Sequence, residues 1–332
     1  MPTYVILPEP SANRVYAQQA AAMTAAEVSI MAGELSSVET VVLGGVEHVR
    51  IGSDAQPEAL SRLSSVQMAY EEIDGLLRPL DLDRERLLAD DLISIPKYQG
   101  KTNEQFTQLM INCAIAALER DSGGQLDILD PMCGRGTTLS CAWRLGHNGF
   151  GVEADVKAVE AHAGFLKTYL RRKRLKHTAT MNPVRRDGKS LGKRFDASVN
   201  LPGHDQLNLG IITGDTRQSA ALWGRRKFDL VVTDAPYGVV HGSQTDVRGV
   251  SGRRDRSPAG LLGEAVPVWV GQLRAGGVLA VAWNTYGFAR EDFVALLTGH
   301  GLQVHDDGPW RRLAHRVDSS INRDLIVATR PT

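Results

Sequence analysis

From about residue 90 to its C-terminus, the chain alternates short apolar runs with longer segments of helical periodicity. The apolar runs include LDILD, GFGVEA, FDLVV and GGVLAVA. Strands that alternate with helices build a mainly parallel sheet that is covered by helices on both faces. No helical segment separates the last two runs, LQVHDD and RDLIVATR, so we expect the final strand to run antiparallel to its neighbours.

The N-terminal part of the chain has a different pattern. A strand at TYVIL precedes a helical segment, and two further strands are joined at Gly44-Gly45. Helical periodicity predicts another helix near residues 57–73. We therefore expect a small acidic α+β domain over residues 1–90 and an α/β domain over residues 91–332, which carries a basic insertion at about 177–208.

The net charge of zero conceals an uneven distribution of charge. Residues 1–95 have 15 acidic side chains against 6 arginines, a net charge of −9, and the remaining residues have 32 basic against 23 acidic, a net charge of +9. The basic residues are clustered at 171–176, 185–194, 225–227 and 248–256. Clustered positive charge predicts a polyanionic partner, and nucleic acid is the leading candidate.

The composition otherwise fits an ordinary cytoplasmic protein. No run approaches the roughly 18 apolar residues that a membrane helix needs, so we expect no membrane partner. The three cysteines form no CxxC pair and the nine histidines include no HExxH motif, so we expect neither disulfides nor a metal site.

A glycine-rich turn follows the first strand of the α/β domain, in the sequence LDILDPMCGRGTT. Asp130 ends the strand, and Gly134 and Gly136 permit a tight turn before a helix that begins at Thr137. Ligands of open α/β sheets bind at such strand ends, where the strand order reverses. The third glycine of the dinucleotide fingerprint is replaced by Leu139, so a nucleoside with an amino acid tail is favoured over a pyrophosphate.

Two further acidic residues follow neighbouring strands. Glu153 ends the second strand, where a carboxylate accepts from ribose hydroxyls in related sheets. Asp215 follows the third strand, and accepting from an adenine amino group and capping a helix explain it equally well. Together with Asp130 they outline a site for S-adenosyl-L-methionine. The complete predicted donor site is Asp130, Pro131, Cys133, Gly134, Gly136, Thr137, Glu153, Asp215, Thr216, Thr102 and Phe106.

The helix before this turn is predicted from NEQFTQLMINCAIAALE. Thr102 and Gln105 have the spacing of a capping box that would open it. Its apolar stripe comprises Phe106, Leu109, Met110, Cys113 and Ala117.

The fourth strand ends in the motif TDAPYG, next to the donor site. An exocyclic amino group on a base is a poor nucleophile because its lone pair is delocalised into the ring. Asp234 and a backbone carbonyl near Pro236 are placed to accept its two hydrogens and so orient the nitrogen. Tyr237 offers a ring on which a flipped base can stack, and Gly238 lets the chain clear the substrate.

The motifs DPMCGRGT and DAPYG resemble those of methyltransferases that act on amino groups of nucleic acid bases, and YQGKTNEQFTQLMIN resembles the segment before their donor loop. The glycine after Tyr237 and the ending HRVDSSINRDLIVATR are similar to the THUMP-associated tRNA guanine-N2 methyltransferases. The resemblance covers roughly residues 95–332. It implies a Rossmann-like seven-stranded class I methyltransferase fold, S-adenosylmethionine as donor and N2-methylguanosine in tRNA as product.

The sequence departs from this family in two places. Ala235 stands where the family has Pro or Leu, at a position that contributes mainly backbone. The N-terminal residues resemble the small ferredoxin-like unit that precedes a THUMP domain, but they are too short to contain THUMP and too acidic to hold a phosphate backbone. We therefore assign tRNA binding to the basic residues of the insertion at 171–194 and of the loop at 248–256, and an activator subunit is a further candidate partner. The predicted substrate-binding residues are Gly238, Arg185, Arg186, Lys189, Arg253 and Arg254.

Three alternatives remain open from the sequence. A DNA adenine-N6 or cytosine-N4 methyltransferase shares the same motifs, although no long target-recognition segment is left unassigned. A dinucleotide-dependent oxidoreductase explains the glycine turn and Glu153 but gives the motif at Asp234 no function. A non-catalytic nucleic-acid-binding module explains the basic clusters, although the intact motif argues against it.

Overall fold

The computed structural model describes residues 2–11, 13–32, 37–52, 57–83, 86–119, 123–186, 189–236 and 258–332. Among the residues predicted to act on the substrate, Tyr237, Gly238, Arg253 and Arg254 lie outside these ranges. The side chains of Arg186 and Lys189 also lie outside the described part.

The N-terminal part forms a five-stranded antiparallel sheet with two helices. Its strands are β1 (Thr3–Leu7), β2 (Ser37–Leu43), β3 (Val46–Gly52), β4 (Met68–Ile73) and β5 (Leu76–Pro79), and its helices are α1 (Arg14–Ala17) and α2 (Ala20–Met31). The strand order is β2-β3-β1-β4-β5. The succession of a strand, helices and two paired strands matches the first four elements of the ferredoxin-like βαββαβ arrangement that the sequence predicts.

The helix predicted near residues 57–73 is wrong. Residues Pro57–Arg62 form only a short 3-10 helix, and Met68–Ile73 is strand β4. All five residues of β1 pair with β4, from Thr3 opposite Glu72 to Leu7 opposite Met68. The backbone N–H of Ser64 donates to the Glu27 carboxylate (3.0 Å) rather than to a helical carbonyl. Pairing and this long-range hydrogen bond therefore override the local helical pattern.

The α/β part is built on a second, larger sheet. Its strands are β6 (Asp127–Asp130), β7 (Asn148–Glu153), β8 (Lys176–Arg186), β9 (Lys189–Asn200), β10 (Leu207–Thr213), β11 (Phe228–Asp234), β12 (Leu273–Asn284), β13 (Gln303–His305), β14 (His315–Arg316) and β15 (Asn322–Thr329). Its helices are α3 (Asp91–Ser94), α4 (Glu104–Ala116), α5 (Thr137–Arg144), α6 (Val156–Arg172), α7 (Ser219–Trp223), α8 (Pro258–Gln272) and α9 (Arg290–Gly299). Further 3-10 helices span Thr216–Gln218 and Gly308–Arg312.

The strand order of this sheet is β13-β15-β12-β11-β6-β7-β10-β9-β8, and β14 pairs with β15. Strands β12, β11, β6, β7 and β10 are mutually parallel, whereas β15 runs antiparallel to β12. The seven strands from β13 to β10 confirm the predicted Rossmann-like seven-stranded fold and its antiparallel final strand. The order reverses between β6 and β11, so a ligand cleft is expected at their carboxyl ends.

The predicted basic insertion extends the sheet as a hairpin. Strands β8 and β9 pair along their length, and β9 also pairs with β10 from Leu207 opposite Val199 to Ile212 opposite Arg194. The hairpin continues beyond Arg194 to a tip where Arg186 pairs with Lys189. At about 3.3 Å per residue, the tip projects roughly 15 Å past the carboxyl end of β10.

Two apolar layers cover the opposite faces of the large sheet. Successive residues of the strands alternate between them, as with Ile128 and Leu129 of β6. The predicted apolar stripe of α4 is confirmed, because all of its members are buried in the first layer. Tyr16 and Met23 of the N-terminal helices belong to this same layer. The N-terminal helices and the α/β part therefore share one core.

Within the described residues, no helix is both long and apolar enough to cross a membrane.

A buried carboxyl group lies where α2 meets α4. Glu27 is fully buried, and it accepts hydrogen bonds from Ser64 Oγ (2.6 Å) and from Asn112 Nδ2 (2.6 Å). Burial raises the pKa of Glu27 from its ordinary 4.5 to about 7, although these hydrogen bonds oppose the shift. The folded protein therefore favours the protonated form of this side chain.

This raised pKa makes stability depend on pH. A pKa above that of the unfolded chain gives stability that is fully present below about pH 4.5 and is lost as the pH rises through about 7. We expect Glu27 to lower the free energy of unfolding by roughly 3 kcal/mol across this window. Glu27→Gln keeps an acceptor and gains a donor for Ser64, so urea unfolding of this variant should lose that part of the pH dependence. An unchanged pH profile in the variant would contradict the assignment.

Candidate active site

Four acidic side chains lie at the carboxyl edge of the large sheet. Asp234, Asp130 and Glu153 are the last residues of the adjacent strands β11, β6 and β7, and Asp215 lies two residues beyond β10. The structure therefore places the predicted acids side by side, in the order Asp234, Asp130, Glu153, Asp215. The strand order reverses between β6 and β11, and a ligand cleft is expected at the carboxyl ends of these two strands. The four acids therefore lie around the expected cleft.

The loop from 131 to 136, which we call the donor loop, depends on two glycines. Gly134 and Gly136 have φ angles of +51° and +74°, in the left-handed region that glycine adopts at least cost. A Cβ on Gly134 would meet no atom within 4 Å, so a ligand can approach the backbone there. A Cβ on Gly136 would lie 2.7 Å from the ring of His162. The turn thus has space for a ligand at its first glycine and a close packing contact at its second.

Close approach between this turn and strand β7 is provided by glycines that sequence reasoning missed. A Cβ on Gly149 would lie 3.1 Å from the backbone of Leu139, and one on Gly151 would lie 2.6 Å from Cys133 Sγ. The missing third glycine of the fingerprint is thus compensated from the strand. The two glycines at alternate positions of NGFGVE, on the same face of the strand, were the sequence signal for this close packing.

Asp130 is buried beneath the donor loop. Its Oδ1 accepts from Thr233 Oγ1 (2.7 Å) and from the Met132 backbone N–H (3.1 Å). Burial raises its pKa to about 6. Since Thr233 belongs to β11, Asp130 ties the start of the donor loop, including Pro131, to the strand that carries Asp234.

Glu153 holds the other side of the donor loop. Its carboxylate accepts from the backbone N–H groups of Gly134 (2.8 Å) and Asp155 (2.7 Å). Burial raises its pKa. Glu153 therefore orients the loop directly, and its predicted contact with a ribose remains a prediction.

Asp215 caps the 3-10 helix at Thr216–Gln218, where its Oδ1 accepts from the Arg217 backbone N–H (2.9 Å). Its hydrogen bond with the Arg217 side chain lowers its pKa. The capping interpretation is thus observed, and a contact with adenine remains a prediction. Thr216 is buried, and its hydroxyl accepts from Trp269 Nε1 (3.0 Å).

Asp234 lies at the end of β11 with its side chain 12% exposed. Its Oδ2 accepts from Thr102 Oγ1 (2.7 Å) and lies 3.4 Å from Arg323 Nη2. The backbone N–H of Ala235 donates to Ala282 O (2.8 Å), which continues the pairing with β12. The buried Ala235 side chain packs in the core, and Pro236 beyond it is exposed.

The predicted capping box at Thr102 is wrong. The cap of α4 is Asn103, whose Oδ1 accepts from the Phe106 backbone N–H (3.0 Å). Gln105 instead donates to Glu9 O (2.9 Å). Because Asn103 takes the capping position, the Thr102 hydroxyl is available to bind Asp234.

Phe106 lies in the core beneath this cluster. Its ring centroid is 4.9 Å from the guanidinium carbon of Arg323 and 4.6 Å from the ring of His315. The side chain is fully buried, so it supports Arg323 from below. Its predicted contact with the donor remains a prediction.

A cavity of about 180 Å³ opens beside the donor loop. Gly136 and Thr137 form one side of it, and Tyr98 and Lys101 from the segment before α4 form another. Tyr98 Oη lies 2.7 Å from Thr137 Oγ1, at the start of α5. The motif YQGKTNEQF thus contributes to the same edge as the donor loop, as its resemblance implied. No group of three metal-binding side chains occurs among the residues that the structure describes.

No model of a known protein family matches this sequence, and no curated protein sequence matches it. Solved structures do match. TrmN from Thermus thermophilus is 12% identical, with 99% of this chain and 100% of that chain covered and a TM-score of 0.45. The rRNA methyltransferase AviRa from Streptomyces viridochromogenes is 17% identical, with 75% and 94% covered and a TM-score of 0.42.

A third match is magnesium protoporphyrin IX methyltransferase from Synechocystis, solved with bound S-adenosylmethionine. It is 15% identical, with 70% and 86% of the two chains covered and a TM-score of 0.38. The second and third of these structures are named as methyltransferases, and all three TM-scores are below 0.5. The function of this chain is therefore inferred from the geometry of its own site.

Proposed function

We propose that this protein is an S-adenosylmethionine-dependent methyltransferase that modifies an exocyclic amino group of a base in RNA, specifically guanine N2 in tRNA. One observation carries the proposal. Asp234, followed by Ala235 and Pro236, ends the strand adjacent to the one that leads into the donor loop. The carboxylate that we assign as proton acceptor thus lies beside the loop that we assign to the donor.

The residues of the donor loop fit this cofactor. The backbone at Gly134 is open to a ligand, and the side chain of Glu153 lies at the neighbouring strand end. The proposed contacts are ribose hydroxyls at Glu153, the adenine amino group near Asp215 and Thr216, and the amino acid tail near Cys133, Gly136 and Thr137. When bound, the cofactor supplies an electrophilic methyl group.

The chain's own contribution to catalysis is orientation and proton acceptance. We assign to Asp234 one hydrogen of the target amino group, and to the Pro236 carbonyl the other. Fixed acceptors of this kind direct the nitrogen lone pair and stabilise the charge that develops on nitrogen. Asp234 then takes the proton that the product releases. Tyr237 and Gly238 complete the proposal as the stacking ring and the residue that clears the base.

The β8–β9 hairpin supports RNA as the substrate. Its tip projects past the same edge of the sheet that carries Asp234, and Arg185 near the tip is exposed. The C-terminal end of α6, with exposed Arg171 and Arg172, lies at the opposite edge of the sheet, so we leave these two arginines of the basic region out of the proposed contact. We assign the contact with the RNA backbone to Arg185, Arg186 and Lys189, together with Arg253 and Arg254, which precede α8 in the sequence.

Replacing both arginines of the hairpin tip should weaken RNA binding and its dependence on salt. Log K falls as log salt rises, and each lost phosphate contact reduces the magnitude of this slope by roughly 0.7 to 0.9. The double variant Arg185→Ala with Arg186→Ala should therefore reduce the magnitude by about 1 to 2. The matched control, Arg171→Ala with Arg172→Ala, removes the same charge from the opposite edge and should leave the slope unchanged. Equal slopes for the wild type and the tip variant would refute the assignment.

The reaction class is tested with donor that carries a labelled methyl group. Incubation with total RNA should give label in RNA that depends on the protein, and binding of NAD should be absent. Label that enters only DNA would favour the adenine-N6 or cytosine-N4 alternative. Tight NAD binding without any methyl transfer would favour an oxidoreductase.

A further inference from the structure

Two side chains that are far apart in the sequence meet at Asp234. Thr102 Oγ1 donates to Oδ2 of Asp234 at 2.7 Å, and Arg323 Nη2 lies 3.4 Å from the same oxygen. Thr102 comes from the segment before α4, and Arg323 is the second residue of β15. Both contacts converge on one oxygen of a carboxylate that is largely buried.

The antiparallel direction of β15 is what delivers Arg323 to the site. Arg323 lies opposite Asn284, the last residue of β12, so the start of β15 lies at the carboxyl ends of β12 and of the strands that are parallel to it. A parallel final strand would place its first residues at the opposite edge of the sheet. The direction of this strand thus brings a cation to the edge that carries Asp234.

Arg323 is held in place by the core. Its side chain is 7% exposed, and its guanidinium lies over the ring of Phe106. That ring contacts His315, and the ring of Tyr16 from α1 lies edge-on to both. A buried guanidinium requires compensating partners because removal from water is costly. An arginine fixed between an aromatic cluster and Asp234 therefore restrains the carboxylate.

We propose that Thr102 and Arg323 are positioning residues that hold Asp234 in the orientation needed at the target amino group. The inference rests on the proposed function, since it assigns Asp234 the acceptor role. Orientation of a reacting group contributes strongly to rate, and a misplacement of about 1 Å can cost on the order of 100-fold. The two residues act on turnover through Asp234 and leave donor binding to the donor loop, so Thr102, which the sequence places in the donor site, is reassigned to Asp234.

Conservative and disruptive variants separate positioning from folding. Arg323→Met should lower kcat about 100-fold and Thr102→Val about 10-fold, while the donor Kd changes less than about threefold. Thr102→Ser keeps the hydroxyl and should recover most of the lost kcat. Arg323→Lys keeps the charge and should recover part of it. Thr107→Val is the matched control, because the Thr107 hydroxyl is buried in the nearby helix α4 and donates to Asn103 O (2.9 Å) rather than to Asp234. Its kcat should equal that of the wild type.

Wild-type kcat in Arg323→Met, or equal loss in Thr102→Ser and Thr102→Val, would overturn the proposal. If the wild-type protein transfers no methyl group, the proposed function fails, and a crystal structure of Arg323→Met then decides the inference alone. The Asp234 carboxylate should turn away from Thr102 in that structure. A carboxylate that keeps its wild-type orientation would overturn the positioning role.

Discussion

Replacing Asp234 by Ala is expected to lower kcat by roughly 1000-fold while the donor Kd stays within about twofold of the wild type. The variant loses both the acceptor that orients the amino group and the base that takes its proton, and such groups typically contribute 100-fold to 10,000-fold. Donor binding is preserved because the donor loop is held by Asp130, Glu153 and their backbone partners. Single-turnover kinetics and calorimetry measure the two quantities separately.

Two further variants make this result specific. Asp234→Asn keeps an oxygen that can accept from Thr102 but takes up no proton, so it should be nearly as inactive as Asp234→Ala and more stable. Asp205→Ala removes an exposed acid elsewhere and should leave kcat unchanged. Turnover by Asp234→Asn at the wild-type rate would show that this side chain does not accept the proton.

Replacing Gly136 by Ala should be the most damaging single change in the donor loop. Its left-handed φ of +74° strains any residue with a Cβ, and that Cβ would lie 2.7 Å from the buried ring of His162. His162 cannot move freely, because its Nδ1 is held 2.9 Å from Arg135 O. We expect strain and overpacking together to lower the free energy of unfolding by roughly 3 kcal/mol. The distorted loop should also bind the donor at least about tenfold more weakly.

Two other glycines serve as controls for this prediction. Gly134 has a φ of +51° but open space around a Cβ, so Gly134→Ala should cost only the strain, about 1 to 2 kcal/mol. Gly164 in α6 has neither problem, and Gly164→Ala should stabilise the helix by about 0.5 to 1 kcal/mol. Urea unfolding measures all three. Equal stability of the Gly134 and Gly136 variants would show that the contact with His162 is unimportant.

The fold was predictable because its signals are local. Apolar runs that alternate with helices indicate a parallel sheet, and the absence of a helix before β15 indicates its antiparallel direction. The four acids were found because strand ends meet at one edge of such a sheet. Where pairing partners compete with local propensity, as in residues 57–73, the local pattern gave the wrong element.

The support of Asp234 was not predictable, because it depends on contacts across more than 80 residues of sequence. Thr102 was predicted as a helix cap, whereas the structure gives that task to the neighbouring Asn103 and turns Thr102 to Asp234. Arg323 lies in a segment whose resemblance to known methyltransferases was evident, yet nothing local connects it to β11. The strand order together with the antiparallel direction of β15 brings Arg323 to Asp234.

Identification of the product nucleoside is the most direct test of the proposal that this protein transfers a methyl group from S-adenosylmethionine to the N2 atom of guanine in tRNA. The protein would be incubated with labelled S-adenosylmethionine and separate pools of tRNA, rRNA and DNA, and the labelled pool would be digested to nucleosides. We expect label in tRNA as N2-methylguanosine, and none with Asp234→Ala. N6-methyladenine in DNA as the sole product would contradict the account.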